Sequence, residues 1–180
     1  MSTRPSELEL RLPNVGPGPD PLTLAALTDP VEPADPTTVD DADPAHEAIV
    51  LLFHRDHHAG NCRRQVRFVA DRYAEFRDRG CQVVSVVPES RDRVRAWQER
   101  YDLPYPLCAD PGSEFADAFD QPVEHGAIGR AFDLVGRMPA AIVLDVHDPD
   151  AVEVVATYRG DSIWDRPDID ALLTDVDRRT

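Results

Sequence analysis

Among the side chains able to do covalent chemistry, Cys62 has the most informative setting. It closes the run Phe53-His54-Arg55-Asp56-His57-His58-Ala59-Gly60-Asn61-Cys62, between an apolar segment (Ala48 to Phe53) and an amphipathic one. The spacing predicts a strand, a loop and a helix, with Asn61 as N-cap and Cys62 in the first turn. A sulfur at that place meets the positive end of the helix dipole and backbone N–H groups without helical partners. Arg63 and Arg64 add positive charge. All of these favour thiolate over thiol, and the thiolate is the nucleophile. The arrangement points to redox chemistry; the plainer alternative is a cysteine that merely packs there. His54, His57 and His58 crowd the same loop. Two imidazoles (His54, His57) and the Cys62 thiolate form a donor set that zinc or copper accepts. Otherwise the loop is a solvated polar segment, or a histidine such as His58 serves Cys62 as a local base.

The sequence holds 3 cysteines and no lysine. Cys81 starts the strand after the long helix. About 17 residues of helix at roughly 1.5 Å each put it about 26 Å from Cys62, whereas a disulfide needs Cα atoms within about 7 Å. Cys81 therefore reads as core. Cys108 ends a strand pointing back toward the Cys62 pole, where it either packs or resolves an oxidised Cys62.

The elements that must hold these groups follow from periodicity. Ala48 to Phe53 is a continuous apolar run, as in a strand covered on both faces. Val66, Val69, Tyr73 and Phe76, three and four residues apart, predict one helix ended by Gly80. Val83 to Val87 is a second buried strand, stopped by Pro88, and Ser90 caps a helix carrying Val94, Trp97 and Tyr101. Tyr105 to Ala109 forms a short strand ended by Asp110-Pro111-Gly112, before a small helix through Phe115 and Phe119. Met138 to Asp145 and Val152 to Tyr158 make a β-hairpin, and Pro167 opens a last helix with Ile169, Leu172, Leu173 and Val176 as its stripe. Trp97, Tyr101 and Trp164 read as core or rim residues. The fold class is α/β, a central mixed sheet flanked by helices with an N-terminal β extension. Residues 1–45, with about half of the 17 prolines, read as that extension: a short hairpin around Leu10 and Leu22, then a proline-rich loop. Residues 46–180 read as the main domain.

Composition narrows the setting. Asp and Glu total 34 against 19 basic residues, for a net charge of -15. An acidic, lysine-free surface resembles that of proteins from halophilic archaea. At about 1 M salt the Debye length is roughly 3 Å, so the self-repulsion is screened. No basic stripe suits nucleic acid. No run of about 18 apolar residues suits a membrane span, and residues 1–7 lack the hydrophobic stretch of a secretion signal. A cytoplasmic protein is expected.

The helix-start cysteine after the first core strand, with Pro139 opening the hairpin strand, resembles the thioredoxin fold. Leu10-Arg11-Leu12-Pro13 with Leu22-Thr23-Leu24, Tyr105 to Gly112 ending in Asp-Pro-Gly, and Ile142-Val143-Leu144-Asp145 are similar to the peroxiredoxin branch (alkyl hydroperoxide reductase and thiol-specific antioxidant). The resemblance spans roughly residues 8 to 176. It implies that Cys62 reduces peroxides; Arg137, two residues from the place of the family's arginine, is the candidate to reach the same pocket, with Asn61, His58 and Pro139 as candidate supporting residues. It implies no cofactor, a small thiol or thioredoxin-like protein as reductant, and a homodimer as an accessible assembly. The chain departs from the pattern at Arg55 and Ala59, where the branch has Pro and Thr or Ser, and at Pro139, where it has the polarising arginine. Thiol-disulfide exchange, metal binding and a redox-silent binding scaffold therefore remain alternatives.

Overall fold

The computed structural model describes residues 11–23, 47–54, 60–113, 115, 140–147, 153–159 and 168–178. The elements are β1 (Arg11–Leu12), β2 (Leu22–Thr23), β3 (Ala48–Phe53), α1 (Gly60–Asp71), α2 (Tyr73–Arg77), β4 (Cys81–Val87), α3 (Arg91–Tyr101), β5 (Leu107–Ala109), β6 (Ala140–Asp145), β7 (Glu153–Arg159) and α4 (Ile169–Asp177). β3 occupies the middle of a five-stranded sheet ordered β5-β4-β3-β6-β7, so every residue of it is buried. β4 and β5 run parallel to β3, β6 runs antiparallel to it, and β7, antiparallel to β6, returns in the direction of β3; Leu51 stands opposite both Val84 and Ile142.

Strand alternation sorts the core into two layers. Ala48, Val50 and Leu52 join Val83, Val87, Leu107, Ala141 and the apolar faces of all four helices. Ile49, Leu51 and Phe53 join Val84, Val86 and Cys108 on the other face, under Leu12, Leu22 and Phe115. Each large side chain enclosed this way contributes about 1.5–3 kcal/mol relative to exposure.

The β1–β2 pair is docked to the main sheet by backbone bonds from Val15 N–H to the Leu107 carbonyl (2.9 Å) and from Ala109 N–H to the Pro13 carbonyl (3.0 Å). Asn14, buried, braces the join: its Oδ1 accepts from the Gly16 and Leu107 N–H groups, and its amide donates to the Pro17 and Pro19 carbonyls. Asp20 reaches Arg91 at the start of α3. The Asn14 backbone N–H and Arg91 hold its carboxyl below the usual range.

Three local expectations are corrected. The helix foreseen through Phe76 breaks at Arg72 (φ -111°, ψ 13°) into α1 and α2. The kink lets Tyr73 and Phe76 stay buried while the Arg72 guanidinium binds Glu75 and, at 2.7 Å, Asp170 in the first turn of α4. Ser90 stands at the N-cap of α3 in extended conformation but makes no side-chain cap bond. The last helix starts after Asp168, which accepts from the Asp170 N–H as a cap, so Pro167 precedes the cap. Gly80 ends α2 with φ 63°, in the left-handed region its missing Cβ permits. The segment through Phe119, the proline-rich loop and Trp164 lie outside the described residues.

Candidate active site

Cys62 is the third residue of α1, in the turn whose N–H groups lack helical acceptors. Asn61 lies inside that helix, so its expected place ahead of it as N-cap is corrected: the helix begins at Gly60. The sulfur side chain faces the sheet among the helix-side core residues, with no exposed surface. Arg63 is half-buried and Arg64 exposed. The enclosure differs from the presented thiol that the sequence suggested, and its cause is the apolar stripe: Cys62, Val66 and Val69 share one face of α1.

The other two cysteines are also free and buried. Cys81 pairs with Ala48 at the far end of β3 from α1. Cys108 pairs with Val86, and its side chain belongs to the opposite layer from Cys62. Burial pushes its thiol pKa up, with the Asp20 and Asp110 charges adding to it. A disulfide partner must come within about 7 Å at Cα, and here the sheet itself stands between the two side chains. The structure thus does not bring Cys108 to Cys62.

His54 follows β3 but is not a solvated loop residue. Its backbone N–H bonds the Val86 carbonyl at 3.0 Å, continuing the ladder, so its side chain falls on the same face as Leu52. The imidazole has no exposed surface, lies 2.9 Å through Nε2 from Ser85 Oγ, and meets Trp97 edge-on at 6.0 Å. The Ser85 hydroxyl lies close to the Tyr105 phenol and lowers its pKa against the effect of burial. The Tyr105 hydroxyl donates to the Val66 carbonyl at 2.9 Å, four residues beyond Cys62 on α1. Burial drives the Tyr105 pKa upward, so it remains a phenol and a donor.

Sequence reasoning missed Ser85 and Tyr105 as site-supporting groups. The available signal was the single hydroxyl interrupting Val83-Val84-Ser85-Val86-Val87. His57, His58, Arg137 and Pro139 lie outside the described residues; β6 takes over at Ala140, opposite Phe53. Among the described residues no group of three His, Cys, Asp or Glu side chains forms a metal cluster, and His54 Nε2 is engaged with Ser85.

Comparison with known proteins agrees with this architecture. Residues 26–148 match the AhpC/TSA family, and the chain belongs to it. Chloroplastic peroxiredoxin Q of Sedum lineare is 25% identical over 91 residues, which span 51% of this chain and 44% of that protein. Among solved structures, peroxidoxin BcpB from Mycobacterium tuberculosis superposes with a TM-score of 0.69 at 17% identity, covering 96% of this chain and 95% of that one. The bacterioferritin comigratory protein of Xanthomonas campestris gives 0.65 at 17% identity, covering 93% and 90%. The fold is the thioredoxin-like fold in its peroxiredoxin form.

Proposed function

We propose that this chain is a thiol-dependent peroxidase working through Cys62. The observation that carries the reading is the position of Cys62 in the first turn of α1, directly after the central strand, in a chain of the AhpC/TSA family. The Cys62 thiolate attacks one peroxide oxygen. The O–O bond breaks, the sulfur gives up two electrons and becomes sulfenic acid, and the departing oxygen takes a proton to leave as water or alcohol. The positive end of the α1 dipole would stabilise the negative charge that develops on the leaving oxygen. An incoming thiol then forms a disulfide with Cys62 and releases water, and a second thiol reduces that disulfide.

Cys108 sits across the sheet and Cys81 at the far end of β3, so the reductant is external: a small thiol or a thioredoxin-like protein. Arg137, with His58 and Pro139, is proposed to complete the peroxide pocket from the segments flanking α1 and β6. The solved Xanthomonas campestris relative is described as having alkyl peroxide reduction activity, which supports hydrogen peroxide and alkyl hydroperoxides as substrates here. Enclosure of Cys62 favours such small oxidants over a folded protein disulfide. The acidic surface supports a cytoplasm of molar salt as the working medium, and the family's habit supports a homodimer. Among the described residues no helix is long and apolar enough to cross a membrane.

The test is peroxide consumption with excess dithiothreitol in molar potassium chloride. Cys62→Ser is expected to lose the activity by about a hundredfold or more, as removal of a covalent nucleophile does, while Cys81→Ser and Cys108→Ser keep it. Consumption that survives in Cys62→Ser contradicts the reading.

A further inference from the structure

His54, Ser85 and Tyr105 come from the end of β3, the middle of β4 and the approach to β5, and none has exposed surface. Tyr105 spends its single hydrogen on the Val66 carbonyl. Its oxygen is left as an acceptor beside the Ser85 hydroxyl, and Ser85 Oγ lies 2.9 Å from His54 Nε2. Three polar groups have been taken out of water to deliver one donor to one helical carbonyl. Hydrocarbon would fill the same volume without the desolvation cost. What it would lack is direction: a hydrogen bond from a buried phenol to one helical carbonyl favours one arrangement of the elements it joins.

We propose that Tyr105, backed by Ser85 and His54, is a positioning residue for Cys62. It pins α1 to the sheet at Val66 and so determines how readily the first turn opens to expose the sulfur. This rests on Cys62 being the reacting group. The helix frays from its N-terminal end, where the first turn is held by the fewest intrahelical bonds. Fraying frees Cys62 once the bond between the Val66 N–H and the Cys62 carbonyl is lost. Going further means breaking the Tyr105 bond as well, and the rings of Tyr73 and Tyr105, 5.7 Å apart, hold that phenol in place. Peroxide is small enough to react without much opening, whereas a thiol reductant needs the turn undone. The pin therefore sets the balance between a closed site that meets peroxide and an opened one that meets the reductant.

The three buried cysteines supply an internal control. Reduced protein is treated with iodoacetamide under native conditions in molar potassium chloride, and labelling of Cys62, Cys81 and Cys108 is followed separately by peptide mass. Tyr105→Phe removes only the hydroxyl, and Ser85→Ala removes its support. Each is expected to raise Cys62 labelling about fivefold, the population change that loss of one buried hydrogen bond produces, with Cys81 and Cys108 unmoved. Ser85→Thr, which keeps a hydroxyl, is expected to restore the original rate. Unchanged Cys62 labelling, or a parallel rise at all three cysteines, overturns the proposal. The assay contains no peroxide. If the peroxidase reading were the one to fail, the unaltered protein would leave peroxide unconsumed whatever the labelling showed.

Discussion

At the scale of single residues, what separates the cysteines is surroundings. All three are buried, yet Cys62 alone stands in the first turn of a helix, while Cys81 and Cys108 lie in strands. Burial raises the Cys108 pKa, so the folded protein keeps that proton where an unfolded thiol, ordinarily near 9.0, gives it up. The unfolded state then binds fewer protons, and the linkage slope is negative. The contribution is fully present below pH 9.0 and is lost as the pH rises above it. Cys108→Ala should lower stability at neutral pH by about 1–3 kcal/mol through lost packing and flatten the alkaline decline, as denaturant titrations at neutral pH and above 9 would read. An unaltered alkaline slope would mean the thiol does not matter there. Cys62 was legible in the sequence because a lone thiol between an apolar run and two arginines is conspicuous. His54 was misread because it stands among loop-like residues, and strand parity, which sends it to the core beside Ser85, shows itself only once the ladder is known.

At the scale of elements, the central strand and the two parallel crossovers were readable because burial on both faces leaves an unbroken apolar run. The kink at Arg72 was not, since the stripe from Val66 to Phe76 runs through it at helical spacing, and the ion pair to Asp170 that favours it is distant in sequence. The docking of β1–β2 was likewise hidden, because it depends on one close approach. A Cβ on Gly16 would lie 2.7 Å from the Tyr105 carbonyl oxygen and 2.8 Å from the Leu107 nitrogen, both backbone atoms. Gly16→Ala must therefore push the N-terminal pair off β5, at a cost of about 1–3 kcal/mol. The expected signature is faster amide exchange at Leu107 and Ala109, with residues of β3 unchanged. Protection equal to that of the unaltered protein would show that the pair moves freely. The same loop faces Tyr105, so the extension supports the residue that pins α1.

For the whole molecule, the governing quantity is a net charge of -15 on 180 residues. In dilute buffer such a surface repels itself, and at about 1 M salt the repulsion is screened to roughly 3 Å. The melting temperature should rise steadily between about 0.1 and 2 M potassium chloride, the range over which the screening length falls most usefully; a flat or falling curve would remove the case for a saline working medium. Fold and chemistry come together at the pole where β3 ends, α1 begins and β6 enters opposite Phe53. The most direct test of what happens there is the intact mass of the reduced protein after a brief, substoichiometric pulse of hydrogen peroxide with a sulfenic-acid trap, in molar potassium chloride. Rapid addition of one trap molecule, mapped to Cys62 and absent in Cys62→Ser, is expected if Cys62 is the peroxide-reducing thiol. An unmodified protein after minutes of exposure would contradict it.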